Sequence, residues 1–247
     1  MMVPESGADA DADALVVGRK AFAILTALLA APAQDNPALA RLMGGGGRDG
    51  GRDGDGPAPV PLTPATLPAA AAARFDCGVD LLNEGLRKDA AGRRPPAHGL
   101  PRCAFVLMAG DRPAGYFSLR GRMIRCAAPA GVGTAGAATR AGDVSIVALS
   151  RLAVDRRDQG SGLGAVLLRE ALLCALGLSE GGGQHHAPGS GFAARAVFVH
   201  ALEAAVRPFY LRHGLRPAPA ILDPLGVLVT TTEARTAVEV STRRTGG

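Results

Sequence analysis

From Val144 to Val154 the chain is largely apolar, rich in β-branched residues and bounded by charge on both sides. A run of that length predicts a buried strand. Asp155 to Gln159 then reads as a tight turn, and Gly160-Ser161-Gly162-Leu163-Gly164 follows. Beyond it Ala165, Val166, Leu167, Leu168, Ala171, Leu172 and Leu173 recur at helical spacing. Strand, glycine-rich turn and helix in that order leave uncrowded N–H groups at the positive end of a helix dipole, and such groups bind phosphate. A Walker loop would need Gly-Lys-Ser/Thr here, and a dinucleotide fingerprint would need G-x-G-x-x-G; neither spacing is present.

The rest of the pattern is arranged around this unit. Residues 1–13 are small and acidic and read as disordered. The apolar run Ala21 to Ala31 predicts a helix of about 11–13 residues ending before Pro32. A second short helix follows, capped by Asn36 with Pro37 at its first position. Residues 44–61 read as a Gly/Pro-rich linker, with a reach of about 23 Å. Val79, Leu82 and Leu86 stripe one helix, with Asp76 or Gly78 as its cap. Residues 93–101 form a basic loop. Cys103–Ala109 and Ala114–Arg120 pair as strands around the turn Gly110–Pro113. Residues 127–142 and 178–191 are loose. Ala196–His200 is a strand, a short helix runs from Glu203 and ends at Gly214, and Gly226–Thr231 is the last strand. Residues 236–247 read as a disordered tail. Together these predict an α/β (α+β) body in residues 62–235 and a flexible helical extension in residues 1–43.

Composition adds three constraints. Apolar residues make up 47% of the 247, but aromatics only 4% and Trp is absent, so Ala, Val and Leu build the core. Residues 1–62 hold eight acidic and five basic residues against +5 for the whole chain, so residues 63–247 carry +8. A basic body suits a polyanionic partner. Cys77, Cys103, Cys126 and Cys174 lack metal-like pairing and read as reduced thiols of a cytosolic protein. The run Ala21–Ala31 is too short to span a membrane, and its likeness to a signal peptide is discounted. His185-His186 has no carboxylate or cysteine nearby and reads as a polar loop, so no metal site is expected. Cys77 has no histidine near it in sequence and reads as packing.

Gln159-Gly160-Ser161-Gly162-Leu163-Gly164 matches Q/R-x-x-G-x-G/A, the pyrophosphate loop of the GNAT acetyltransferases, and Arg151–Asp155 resembles their central strand. Phe75-x-Cys77-Gly78, Gly115-Tyr116-Phe117-Ser118-Leu119 and Phe209-Tyr210…Gly214-Leu215 resemble stretches of TacT-like toxins. Glu203, Val206, Pro208 and Leu215 depart from that last pattern. Phe22…Leu25…Leu28-Leu29…Asn36-Pro37-Ala38-Leu39…Arg41-Leu42 is similar to the tail of TacA-type antitoxins, although no ribbon-helix-helix head is recognisable.

The resemblance implies a mixed central sheet flanked by helices, with acetyl-CoA as co-substrate. Its pyrophosphate would take N–H groups of Gln159, Gly160, Ser161, Gly162, Leu163 and Gly164, and its pantetheine would pair with the backbone of Leu152 and Val154. Tyr210 would be the general acid. Aminoacyl-tRNA would be the acceptor, met by Arg93, Arg94, Arg120, Arg122, Arg151 and Arg212. A cytoplasmic homodimer is implied, with a ribbon-helix-helix antitoxin, or residues 14–43 of the chain itself, as cap. An N-acetyltransferase of a small-molecule or protein amine, and a non-catalytic component of a toxin–antitoxin complex, are the competing readings.

Overall fold

The computed structural model describes residues 14–44, 59–61, 66–91, 102–127, 142–180 and 193–245. In chain order it contains β1 (Ala14–Val17), α1 (Arg19–Ala30), α2 (Pro37–Met43), β2 (Val60–Pro61), α3 (Ala69–Ala72), α4 (Asp80–Ala90), β3 (Arg102–Ala109), β4 (Arg112–Cys126) and β5 (Val144–Val154). Then come α5 (Leu163–Glu180), β6 (Ala196–His200), α6 (Arg207–Arg212), β7 (Arg216–Pro217), β8 (Gly226–Thr230) and α7 (Thr231–Thr245). The strands form one mixed sheet in the order β2-β3-β4-β5-β6-β8-β7, with β1 beside β4. The β5–β6 and β1–β4 pairs are parallel; the others are antiparallel.

Strand alternation sends successive side chains to opposite faces. Phe117, Leu119, Val147, Leu149, Val197, Val199, Val227 and Val229 point to one face, beneath Leu167, Leu168 and Leu172 of α5 and Ala234 and Ala237 of α7. Tyr116, Val106 and Ala153 point to the other, where Phe75 and Leu86 cover them. Ile124, Ile146 and Leu228 continue that second face beneath Leu25 and Leu29 of α1.

Residues 14–44 are part of this packing. Ala14–Val17, placed by the sequence in the helical extension, instead form an edge strand in register with Met123–Cys126. Asn36 caps α2 by accepting from Leu39 N at 3.0 Å, while its Nδ2 donates to Gly214 O at 2.8 Å. Leu39 is fully buried, and Leu42 and Met43 are buried with it. Arg169 Nε donates to Met43 O at 2.9 Å, and Arg195 Nη2 donates to Leu29 O at 3.2 Å. The segment therefore runs from one face of the sheet to the other.

Four further expectations are corrected. Residues 236–245 are helical, not a disordered tail, because α7 opens on a capping box. Thr230 Oγ1 accepts from Glu233 N at 3.1 Å, and Glu233 Oε2 accepts from Thr230 N at 3.1 Å. Val60 and Pro61, assigned to the linker, pair with Val106 and Phe105 of β3. The short helix begins at Arg207 rather than near Glu203, because Pro208 has no N–H and fits only a first turn. Neither Asp76 nor Gly78 caps α4, whose N-cap is Val79. Asp76 instead accepts from Gly78 N at 2.8 Å and Asn83 Nδ2 at 3.1 Å, closing a tight turn. The N-terminal residues 1–13, most of the linker (45–58), the stretches 62–65, 92–101, 128–141 and 181–192 with His185-His186, and the last two residues lie outside the described residues.

Candidate active site

The site is built where β5 outruns β6. Their parallel pairing covers only Val147↔Val197 to Leu149↔Val199, yet β5 continues to Val154. Past Leu149 the edge of β5 facing β6 makes no further ladder pairs, so the sheet parts there. On its other edge β5 stays paired with β4, with a register break between Ser118 and Leu119 that leaves Ser150 as the extra residue. A bulge of this kind re-aims the side chains beside it. Leu152 and Val154 lie on the open stretch, and both pack half-buried against the core.

At the end of β5 a buried carboxylate organises the turn. Asp155, 1% exposed, accepts from Asp76 N at 3.2 Å and Arg157 N at 3.1 Å. It also accepts from Arg157 Nε at 2.7 Å and Nη2 at 2.9 Å. The Arg157 guanidinium and these N–H donors hold its carboxyl well below the usual carboxylate range. The chain then makes one 3₁₀ turn, Arg156–Asp158. Gln159 Nε2 donates to Cys77 O and to Val154 O, each at 3.0 Å, tying the loop to the turn before α4. Arg112 grips the Asp158 carboxylate with both terminal nitrogens.

Gly160, Ser161 and Gly162 are exposed. Gly160 and Gly162 have φ of +79° and +82°. A Cβ would meet nothing within 4 Å at either position, so backbone conformation, not space, requires glycine there. Helix α5 starts at Leu163 with no acidic residue in its first turn. Its first N–H groups have no intrahelical acceptor and face an anion naturally. The loop Gln159–Gly164 thus opens beside the bare edge of β5.

Tyr210 comes from α6, the element after β6. Its ring is buried and meets Phe209 edge-on at 5.1 Å. Phe209 in turn lies against Gly164, where a Cβ would stand 3.4 Å from its ring. That contact seats α6 on the first turn of α5 and brings the tyrosine's helix to the glycine loop. Burial pushes the Tyr210 phenol up to about 12, so it stays protonated at neutral pH. The chain has one other tyrosine, Tyr116, whose hydroxyl donates to Leu82 O at 2.6 Å under α4. Burial also raises the Cys77 thiol, so its environment makes it a poor nucleophile.

Three of the six arginines named from sequence converge. Arg120, Arg122 and Arg151 line a cleft of about 180 Å³ with Ser118, Leu119 and Ser150. The cleft lies on the second face of the sheet, between the cover of α4 and that of α1. Arg151 is anchored by Asp89 Oδ2 at 2.8 Å. Arg212 is elsewhere, on α6, its guanidinium 5.5 Å from the Phe209 ring centre. Arg93 and Arg94 lie outside the described residues. Sequence reasoning missed Asp155 as the organiser of the loop and Ser118 as a lining residue. A lone Asp after a strand carries no distinguishing signal, and Ser118 gains its place only through the bulge. Among the described residues no three His, Cys, Asp or Glu side chains group as a metal site would, and no helix is long and apolar enough to cross a membrane.

A mixed sheet parted at its central parallel pair, with a glycine loop and helix N-terminus at the opening, is the architecture of the GNAT acyltransferases. No family model matches the chain. Over 165 residues it is 32% identical to the tRNA-acetylating toxin of Mycobacterium tuberculosis (strain ATCC 25618 / H37Rv), covering 66% of this chain and 88% of that protein. The chain belongs to this family of acetyltransferase toxins. Among solved structures it resembles the toxin AtaT complexed with acetyl-methionyl-tRNAfMet, with a TM-score of 0.51 and 22% identity over 72% of this chain and 96% of that one. It also resembles AtaTR bound with acetyl-CoA, with a TM-score of 0.49 and 23% identity over 69% and 94% of the two chains.

Proposed function

We propose that the chain transfers acetyl from acetyl-CoA to the α-amine of an aminoacyl-tRNA, and so blocks translation in the cytoplasm. The observation that carries this is the 32% identity spanning 88% of a tRNA-acetylating toxin. The parted sheet and the exposed glycine loop support it independently. The pyrophosphate lies on the N–H groups of Gln159 to Gly164, and the pantetheine takes the place of a strand along Leu152 and Val154. The acceptor amine attacks the thioester carbonyl carbon. A C–N bond forms, the C–S bond breaks, and the departing sulfur takes the proton of Tyr210. The proton lost by the amine returns to the phenolate through water. Arg120, Arg122 and Arg151 meet the tRNA from the cleft, with Arg93, Arg94 and Arg212 as outer contacts.

Residues 14–44 serve as the cap of this site in cis. Their support is positional: α1 lies on the same face as the arginine cleft, and α2 holds Gly214, four residues after Tyr210. A ribbon-helix-helix antitoxin then has this surface already filled. The active form is a homodimer, and exposed Leu15 and Val16 on the edge strand offer it an apolar contact.

The test is label transfer from acetyl-CoA to bulk charged tRNA, using the whole chain and Leu39→Ala, which loosens the cap. Label should appear in tRNA, slowly for the capped whole chain and faster for Leu39→Ala, and fall by about 10²–10⁴ in Tyr210→Phe, with acetyl-CoA affinity unchanged. Acetyl-CoA binding by both proteins without label in tRNA from either would overturn the reading in favour of a small-molecule or protein amine as acceptor.

A further inference from the structure

The second face of β4 carries Tyr116, Ser118, Arg120, Arg122 and Ile124 at alternate positions. Tyr116 lies under α4 and Ile124 under α1, so the three residues between them form the floor of the open cleft. Ser118 is 3% exposed, and its Oγ has no hydrogen-bond partner among the described residues. A buried hydroxyl left unpaired costs about 1–3 kcal/mol, and here it does so at the cleft wall that adjoins the bulge. Ser118 pairs with Arg151, next to Ser150, the residue directly after the last β5–β6 pair. The unpaired hydroxyl is therefore at the end of the cleft nearest to where the sheet parts. Arg120 and Arg122 follow at strand spacings of about 6.6 Å and about 13 Å from it.

We propose that Ser118 binds the reacting end of the acceptor, its hydroxyl donating to the ester carbonyl of the aminoacyl group. Arg120 and Arg122 then take the phosphates next along the same strand. The order is dictated by polarity. A neutral hydroxyl in a nearly closed position suits an uncharged carbonyl, while the charged side chains of the partly buried Arg120 and Arg122 suit phosphates that keep part of their hydration. Arg151 is fixed against Asp89 and rests on Gly85, where a Cβ would stand 2.5 Å from its Nε. It forms a rigid wall of the cleft and fixes the width available to the acceptor.

This inference rests on the aminoacyl-tRNA reading, and two acceptors separate the two. With the whole chain, KM is measured for charged tRNA and for amino-acid methyl esters, which keep the ester but have no phosphate. Ser118→Ala should raise KM for both by about five- to tenfold, the worth of one hydrogen bond, leaving kcat and the acetyl-CoA KM within twofold. Ser118→Thr, which keeps the hydroxyl, should restore most of the loss. Because Ser118→Ala removes an unpaired buried group, its urea midpoint should stay level or rise; a fall would mark a structural role and overturn the proposal. Arg120→Gln and Arg122→Gln should raise KM for tRNA alone, each lowering the salt slope of log K by nearly one. An unchanged methyl-ester KM in Ser118→Ala overturns the ester contact. An equal effect of the arginine variants on both acceptors overturns the phosphate assignment. Methyl esters labelled while tRNA stays unlabelled would sink the tRNA reading yet still judge Ser118. If neither is labelled, both proposals fall.

Discussion

Asp155 offers the sharpest check on how the glycine loop is held. Replacing it with Ala removes the acceptor for two backbone donors, Asp76 N and Arg157 N, in a place where the side chain is only 1% exposed. Each orphaned N–H costs about 1–3 kcal/mol, so Asp155→Ala should lose about 2–6 kcal/mol. The ion pair with Arg157 contributes little beyond this, because that guanidinium is half exposed. Asp155→Asn keeps one acceptor oxygen and should lose about half as much. The pH dependence has a definite sign. The carboxyl's pKa is lowered in the folded state, so its contribution is complete above the unfolded value of about 3.9 and declines as pH falls below it. Urea midpoints measured from pH 7 down to pH 3 should show a flatter acid limb in Asp155→Asn than in the wild type. Because the same carboxylate anchors the start of the glycine loop, acetyl-CoA Kd should rise about tenfold in Asp155→Ala, equivalent to about 1.4 kcal/mol. A stability loss below about 1 kcal/mol, or an acid limb identical in wild type and Asp155→Asn, would refute this account of the turn.

Leu39 is fully buried within the N-terminal segment. Leu39→Ala should cost about 2–5 kcal/mol, read from urea midpoints at unchanged m. If the segment caps the site, this variant should also acetylate tRNA faster per folded molecule; a slower rate would show that the segment only supports the fold. Burial raises the Tyr210 phenol to about 12, so its protonated form persists through pH 10. The rate should not fall between pH 8 and pH 10 through loss of that proton, and an alkaline limb in that range that disappears in Tyr210→Phe would contradict the burial.

Much of the fold was legible because its period changes sharply. The bounds of β5 and β6 follow from apolar runs flanked by charge or small residues, and α2 from Asn36 followed by Pro37. The glycine loop was legible because two positive-φ positions admit little else. The elements that escaped notice depend on partners far away in sequence. Ala14–Val17 is too short to declare itself and becomes a strand only because β4 extends to Cys126 and offers an edge. The tail helix α7 did have a local sign, Thr230-Thr231-Thr232-Glu233, a capping box hidden behind a strand that ends on the same threonine. In the proposed site, Tyr210 and the loop were singled out through their resemblance to the family's stretches. The meeting of Arg120, Arg122 and Arg151 with Ser118 depends on the bulge at Ser150, and no single-strand pattern encodes a bulge set by a neighbouring strand.

If residues 14–44 cap the site as proposed, cap and site belong to one polypeptide. Strap and enzyme are therefore always made in equal number, and dilution cannot part them. An intramolecular cap can act at an effective concentration in the millimolar range, so a second molecule offering the same helices at micromolar levels would compete at a disadvantage of about a thousandfold. Uncovering such a site is a unimolecular event, an opening of the strap or a cut between residues 44 and 59, and its rate is independent of how many other copies the cell holds.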